Sequence, residues 1–237
     1  MTNVVTIMQK ELKSYLISPV FYFMAFFFLV LSGASFYFIV SRPVPAELKN
    51  IFVLMVNLLI FLCPLLTMHL FADERRTGTV ELLMTYPLRD WEVVLGKYLA
   101  SFALFLVLVL CTIEFPLFLY AYGKPDFGPI ITGYLGFILL GASFLAVGML
   151  GTSLARSQML ATGISFSIIL GLMIFGYAGR FLGGGSFSQL FEYLPGTAHF
   201  ANFAQGLIDT RDLIFFASFI FFSLFTAIRV VEINRWK

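Results

Sequence analysis

Charged residues that could bind a partner or take part in a reaction are densest in residues 71–97, "FADERRTGTVELLMTYPLRDWEVVLGK". Nine of these residues are charged, and the stretch also contains Pro87 and Trp91, whereas the surrounding chain is mostly apolar. Charge at this density, beside apolar side chains at helical spacing, suits docking of a short helix into a groove of a water-soluble partner. A solvated loop with no further role would look similar, and the residues alone leave both interpretations open.

A second candidate is Glu114, which lies in the apolar stretch "CTIEFPLF" next to Pro116. A carboxylate inside a bilayer costs at least ~2.5 kcal/mol, so it should face a cavity or a partner, or be protonated. Glu114 could contact a substrate or a proton, or it could bond to backbone groups freed beside the proline. We therefore treat it as a candidate intramembrane functional residue.

The remaining reactive side chains do not form a site. His69 and His199 fall on opposite sides of the predicted membrane, so they cannot share a metal ion, and we expect each to be a local hydrogen-bonding group. Cys63 and Cys111 lie in apolar runs, where we expect buried thiols. An intramembrane hydrolase would need a nucleophile and a base at one depth, and the sequence does not indicate such a pair. We predict no catalytic, cofactor-binding or metal-binding residue in this chain.

The composition indicates that these residues belong to a membrane protein. Of 237 residues 60% are hydrophobic and only 12% are charged, and the mean hydropathy is +0.95. These values are typical of integral membrane proteins. The apolar run after Pro19 continues to Val40, which is too long for the core of a signal peptide and predicts a retained span.

Six stretches are long enough, or nearly long enough, to cross ~30 Å of hydrocarbon as helices. The predicted spans are residues 20–40, 51–71, 98–122, 129–154, 158–180 and 212–229. Six spans put both termini on one side, which would carry ten Lys and Arg residues against five on the other. The positive-inside rule then predicts cytoplasmic termini and a cytoplasmic charged stretch between the second and third spans.

Two further segments are predicted to lie at the membrane surface. Residues 1–18 carry apolar side chains at helical spacing with lysines between them, which predicts an amphipathic helix along the cytoplasmic interface. Residues 181–211 predict two short amphipathic helices, broken at Pro195, that dip into the outer leaflet. In the charged stretch, Thr79 should cap a short helix that Pro87 ends, and Asp90 should cap the helix of the third span.

The sequence resembles a known family in three places. "DERRTGTVELLMTYPLRDWEVVLGKYLA" resembles the segment after the second span in permeases of the ABC-2 exporter superfamily. "GYLGFILLGASFLAVGMLGTSLARSQMLATGISF" resembles the fourth span, inner turn and fifth span of the same family. "FEYLPGTAHFANFAQGLIDTRDLIFFASFIFFSLFTAIRVVEINRW" is similar to the last outer segment and sixth span of its gliding-motility-associated branch. The resemblance covers nearly the whole chain.

This resemblance implies one all-α transmembrane domain over residues 1–237, paired with a second copy or a homologous permease. Two separate ATPase subunits would bind ATP and Mg and drive it. Residues 73–90 would be the cytoplasmic coupling helix, and residues 1–18 would be a connecting helix against the same ATPase. The residues expected to take part in coupling are Glu74, Arg75, Arg76, Glu81, Leu83, Tyr86, Pro87, Arg89 and Trp91.

The chain has no P-loop of its own, because Gly96 and Lys97 are followed by Tyr98 and the first glycine position holds Trp91. We therefore expect a non-catalytic permease subunit of an exporter in a prokaryotic inner membrane. Membrane lipids and an outer accessory protein are its other expected partners, and nucleic acid is not. Two alternatives remain open: a subunit that transmits movement to an outer protein, and a self-powered secondary transporter, for which only Glu114 qualifies.

Overall fold

The computed structural model describes residues 2–41, 48–71, 89–122, 126–181 and 193–235. Within these ranges the regular structure is helical, with no strand. The helices are α1 Thr2–Ile17, α2 Pro19–Val40, α3 Leu48–Thr67, α4 Asp90–Cys111, α5 Glu114–Tyr122, α6 Phe127–Leu154, α7 Gln158–Phe181, α8 Gly196–Phe203 and α9 Thr210–Arg235. The predicted all-α fold class is confirmed.

Six candidate membrane spans are formed by these helices, and their order matches the prediction. The first is α2, the second is α3 with the turn to Phe71, the third is α4 with α5, and the last three are α6, α7 and α9. The ends differ from the predicted ones. The third span begins at Asp90 rather than at residue 98, and the sixth extends from Thr210 to Ile233. The chain is therefore a multi-pass membrane protein.

The third span is interrupted at Thr112 and Ile113, between α4 and α5. A helix would bond the carbonyl of Thr112 to the N–H of residue 116, but residue 116 is proline and has no N–H. The Tyr134 hydroxyl donates to that carbonyl instead, at 2.7 Å, and the Phe115 N–H also reaches it, at 3.1 Å. An interrupted helix is tolerated inside a membrane when neighbouring groups satisfy the freed backbone in this way.

The centre of the bundle is α6, which is the most buried of the candidate spans. Its glycines let neighbouring helices approach closely, because a Cβ at Gly136 would lie 2.5 Å from the Cβ of Phe203. Gly141 likewise faces the ring of Phe105, and Gly148 faces the side chain of Thr67. The small residues of this span thus pack against other helices of the same chain.

At one end of the bundle α1 lies against α4, and at the opposite end α8 packs against α6 and α9. We call these the α1 end and the α8 end. The predicted N-terminal helix is confirmed as α1. Its Glu11 and Tyr15 side chains are buried, whereas Leu16 and Ile17 at its end are exposed. Of the two short helices predicted between spans five and six, α8 is described, and residues 182–192 lie outside the described ranges.

Candidate functional site

The predicted coupling residues fall mostly outside the described ranges. Those that do so are Glu74, Arg75, Arg76, Glu81, Leu83, Tyr86 and Pro87. Arg89 and Trp91 are described, and they lie at the beginning of α4. The structure therefore describes the residues on either side of 72–88, Phe71 at the end of the second span and Arg89 before the third.

The first turn of α4 is capped differently from the prediction. Arg89 is the N-cap, with extended backbone, and its N–H donates to Oε2 of Glu92 at 3.1 Å. Asp90 is thus the first residue of the helix, and the prediction that it caps the helix is wrong. Its negative charge interacts favourably with the helix dipole at this position. The Asn3 amide nitrogen lies 3.3 Å from Glu92 Oε2, which connects the beginning of α1 to this turn.

One turn further along α4, Lys97 joins three elements. Its side chain is almost fully buried, at 2% exposure, and its ammonium donates to Oε1 of Glu11 in α1 at 3.0 Å. The same ammonium donates to the carbonyl oxygen of Leu70, at the end of the second span, and lies 5.0 Å from the ring centroid of Phe71. A charge buried this deeply requires such partners, so Lys97 fixes all three elements in one arrangement.

Two uncharged contacts also join α1 to the second and third spans. The Tyr15 hydroxyl donates to the carbonyl of Leu66, which ties the end of α1 to α3. Gly96 faces α1 so closely that a Cβ there would lie 2.8 Å from Cγ2 of Ile7 and 3.0 Å from the carbonyl oxygen of Val4. The α1 helix is therefore fastened to both span ends that border residues 72–88. We call Glu11, Leu70 and Lys97 the α1 junction.

Sequence reasoning did not single out the α1 junction. In the sequence, Lys97 is one of several positive charges, and Glu11 is a charged residue between the apolar positions of the predicted amphipathic helix. Two local signals in the sequence mark Lys97. One is the Gly-Lys pair in the motif that resembles ABC-2 permeases, and the other is the charge of Lys97 at the start of an apolar run. Neither signal indicates that Lys97 contacts Glu11, which lies 86 positions earlier in the chain.

Glu114 is the first residue of α5, directly after the interruption of the third span, and its side chain is exposed on the protomer surface. Seventeen residues separate it from Lys97, which corresponds to roughly 25 Å along helical structure. Glu114 therefore belongs to the α8 half of the molecule. The carbonyl freed by Pro116 is bonded by Tyr134.

The two histidines lie at opposite ends, and each forms hydrogen bonds, as predicted. His69 Nδ1 lies 3.1 Å from the Gln158 amide nitrogen at the α1 end. At the α8 end, His199 is buried with Nδ1 at 2.5 Å from Oδ1 of Asp212, while the Asn202 amide donates to Oδ2 at 2.9 Å. We call His199, Asn202 and Asp212 the α8 network, which joins α8 to the first turn of α9.

Cys63 is buried and Cys111 is exposed, so the prediction of two buried thiols is wrong for Cys111. Cys111 is the last residue of α4. Among the described residues no three His, Cys, Asp or Glu side chains are grouped closely enough to hold a metal ion.

The comparison with known proteins agrees with this architecture. A family model described as "ABC-2 family transporter protein" matches residues 5–207. The "Probable multidrug ABC transporter permease YbhR" of Escherichia coli strain K12 is 30% identical over 107 residues. The protein of the same description from Escherichia coli O157:H7 matches equally. The match covers 45% of this chain and 28% of each relative's length. Since the family model extends over most of the six-span bundle, the chain belongs to the ABC-2 family of transporter proteins.

Proposed function

We propose that this chain couples ATP hydrolysis by two separate ATPase subunits to the export of a substrate. It would act as one half of a dimer with a second copy or a homologous permease. The α1 junction carries the proposal, because it ties the N-terminal helix to both span ends that border residues 72–88. Family membership supports the ATPase partners and the dimer.

In the proposed mechanism, closure of the ATPases pushes on residues 73–90 and on α1. Because the α1 junction holds α1, the end of α3 and the beginning of α4 together, these elements move as one unit. Their movement tilts the second and third spans, and the dimer interface alternates between inner and outer access. The proposed contacts are Glu74, Arg75, Arg76, Glu81, Leu83, Tyr86 and Pro87, with Arg89 and Trp91 as supports.

The proposed orientation has both termini in the cytoplasm of a prokaryotic cell, with the chain in the inner membrane. The ten Lys and Arg residues expected on the α1 side, against five on the other, support this orientation. The name of the relative, a multidrug permease, makes drug-like compounds the first class of cargo to test.

A second candidate function is mechanical action on a protein outside the membrane. The α8 network favours it, because it makes α8 a rigid extension of α9 at the predicted outer surface. Movement of the last span would then reach that surface directly. Export by the purified complex in liposomes, with no outer protein present, would argue for the first function over this one.

The proposal is tested by purifying the tagged chain gently from its native membrane and identifying what accompanies it. We expect a P-loop ATPase in a ratio near one to one, with measurable ATP hydrolysis. A folded chain that repeatedly arrives without any ATPase would contradict the proposal. Weight would then move to a self-powered carrier, in which Glu114 is the residue to examine.

A further inference from the structure

A polar cleft lies beside the α1 junction, where α1 turns into the first span. It has a volume of about 180 Å³ and is lined by side chains of α1 and by the ends of the second and third spans. This is about six times the ~30 Å³ that one water molecule occupies in the liquid, so the cleft has room for a small polar group.

The charges around the cleft favour an anion. Lys10 and Lys97 both approach Oε1 of Glu11, at 3.8 Å and 3.0 Å. Two ammonium groups therefore share one carboxylate, and these three described groups carry one net positive charge. Ser14 and Ser18 add hydroxyl groups to the lining, and hydroxyls can donate to phosphate oxygens.

The position of the cleft favours a lipid as the source of that anion. Ser18 is the N-cap of α2, and Pro19 begins the first candidate span, so the cleft lies at the boundary of the hydrocarbon region. Exposed apolar side chains continue from it along α2, including Tyr22 and Phe23, and they offer a surface for acyl chains. Basic pockets at this level between membrane helices are suited to phospholipid headgroups.

We propose that this cleft binds the phosphate of an anionic phospholipid headgroup, with Lys10 at its rim as the principal cationic contact. The side chain of Lys10 is 63% exposed, so its ammonium is accessible from the membrane surface. A zwitterionic headgroup would bring its own cation near Lys10 and Lys97 and would bind less well. Bound lipid would hold the bend between α1 and α2 without any ATPase present.

The test measures the thermal unfolding of the full-length chain in detergent, without ATPase, with added phosphatidylglycerol or phosphatidylcholine. Phosphatidylglycerol should raise Tm by about 3 °C or more over phosphatidylcholine when it is in tenfold excess over its Kd. Lys10→Gln should remove most of this difference. Lys13→Gln removes the same charge from an exposed position of α1 that does not line the cleft, and it should keep the difference.

If Lys10→Gln and Lys13→Gln reduced the Tm difference between the two lipids equally, the protein would be attracted to the anionic surface in general. That result would overturn the proposal. An equal effect of the two lipids would also overturn it. A further sample contains inorganic phosphate at matched ionic strength. If phosphate alone reproduces the shift and Lys10→Gln abolishes it, the cleft is a site for soluble phosphate, and the lipid source is refuted.

Discussion

The ammonium of Lys97 lies 3.0 Å from the carboxylate of Glu11, 86 residues earlier in the chain. This pair joins the N-terminal helix to the third span at the point where the charged segment ends. Both side chains are largely buried, at 2% and 11% exposure. Loss of one partner from such a pair leaves a buried charge without compensation, which is more costly than loss of the pair.

We therefore expect Lys97→Met to destabilise the chain by about 3–5 kcal/mol. The double variant Glu11→Leu with Lys97→Met should lose less than the sum of the single variants. Thermal unfolding of the purified chain measures both effects. Arg229 and Glu232 form an exposed pair at 2.8 Å, and their removal should cost about 1 kcal/mol or less. If the two pairs behaved alike, the junction would not be a structural link.

The close contact of Gly96 with α1 can be tested independently of charge. Gly96→Ala places a methyl group within 2.8 Å of Ile7 and 3.0 Å of the backbone of Val4, so α1 must move away. We expect a loss of about 1–3 kcal/mol and weaker retention of the partner ATPase. Gly163→Ala is the matched control, because its added methyl group has open space around it. Equal stability of the two variants would contradict the proposed role of the α1 contact.

The six spans could be predicted from the sequence because crossing a membrane requires about 20 apolar residues with few charges. The N-terminal helix followed from its apolar periodicity. The sequence predicts the N-terminal end of α4 to within one residue, because Asp90 is expected to cap that helix. It places the membrane-spanning part only from residue 98, because Glu92 and Lys97 are charged residues at the edge of an apolar run. Asn3 and Glu11, which contact these two charges, approach from a different part of the chain and have no local signal.

The interruption of the third span was partly predictable. Pro116 gives the reason why the carbonyl of Thr112 lacks its usual donor, and it is visible in the sequence. The donor that replaces it, Tyr134, is 22 residues away on α6 and has no local signal. Asp212 also has a partner without a local signal, because this residue at the beginning of the sixth predicted span is buried against His199.

The α8 network should make a measurable contribution to stability at the predicted outer end. Asp212→Asn removes a buried carboxylate that contacts both His199 and Asn202, and should cost about 1–3 kcal/mol. Thermal unfolding provides the measurement, with Glu232→Gln as an exposed control. An Asp212→Asn variant as stable as the control would show that the network does not fix α8 to α9.

Glu114 remains a prediction about function. Its side chain is exposed on the protomer, and in a membrane such a carboxylate should face a partner or a water-filled path. We expect Glu114→Gln to lower transport or change its pH dependence without reducing ATPase binding. Asp126→Ser, which keeps an oxygen acceptor at the N-cap of α6, is the control. Unchanged transport and pH dependence in Glu114→Gln would refute the functional interpretation.

Docking of the ATPase on residues 73–90 is tested most directly by the amount of ATPase that copurifies with two charge-reversed variants. Glu81→Arg alters the segment proposed to dock the ATPase, whereas Glu232→Arg makes the same change near the C-terminus, on the same predicted side of the membrane. We expect Glu232→Arg to retain the ATPase in a ratio near one to one and Glu81→Arg to lose most of it. Equal retention by two folded variants would contradict the assignment of residues 73–90 to coupling.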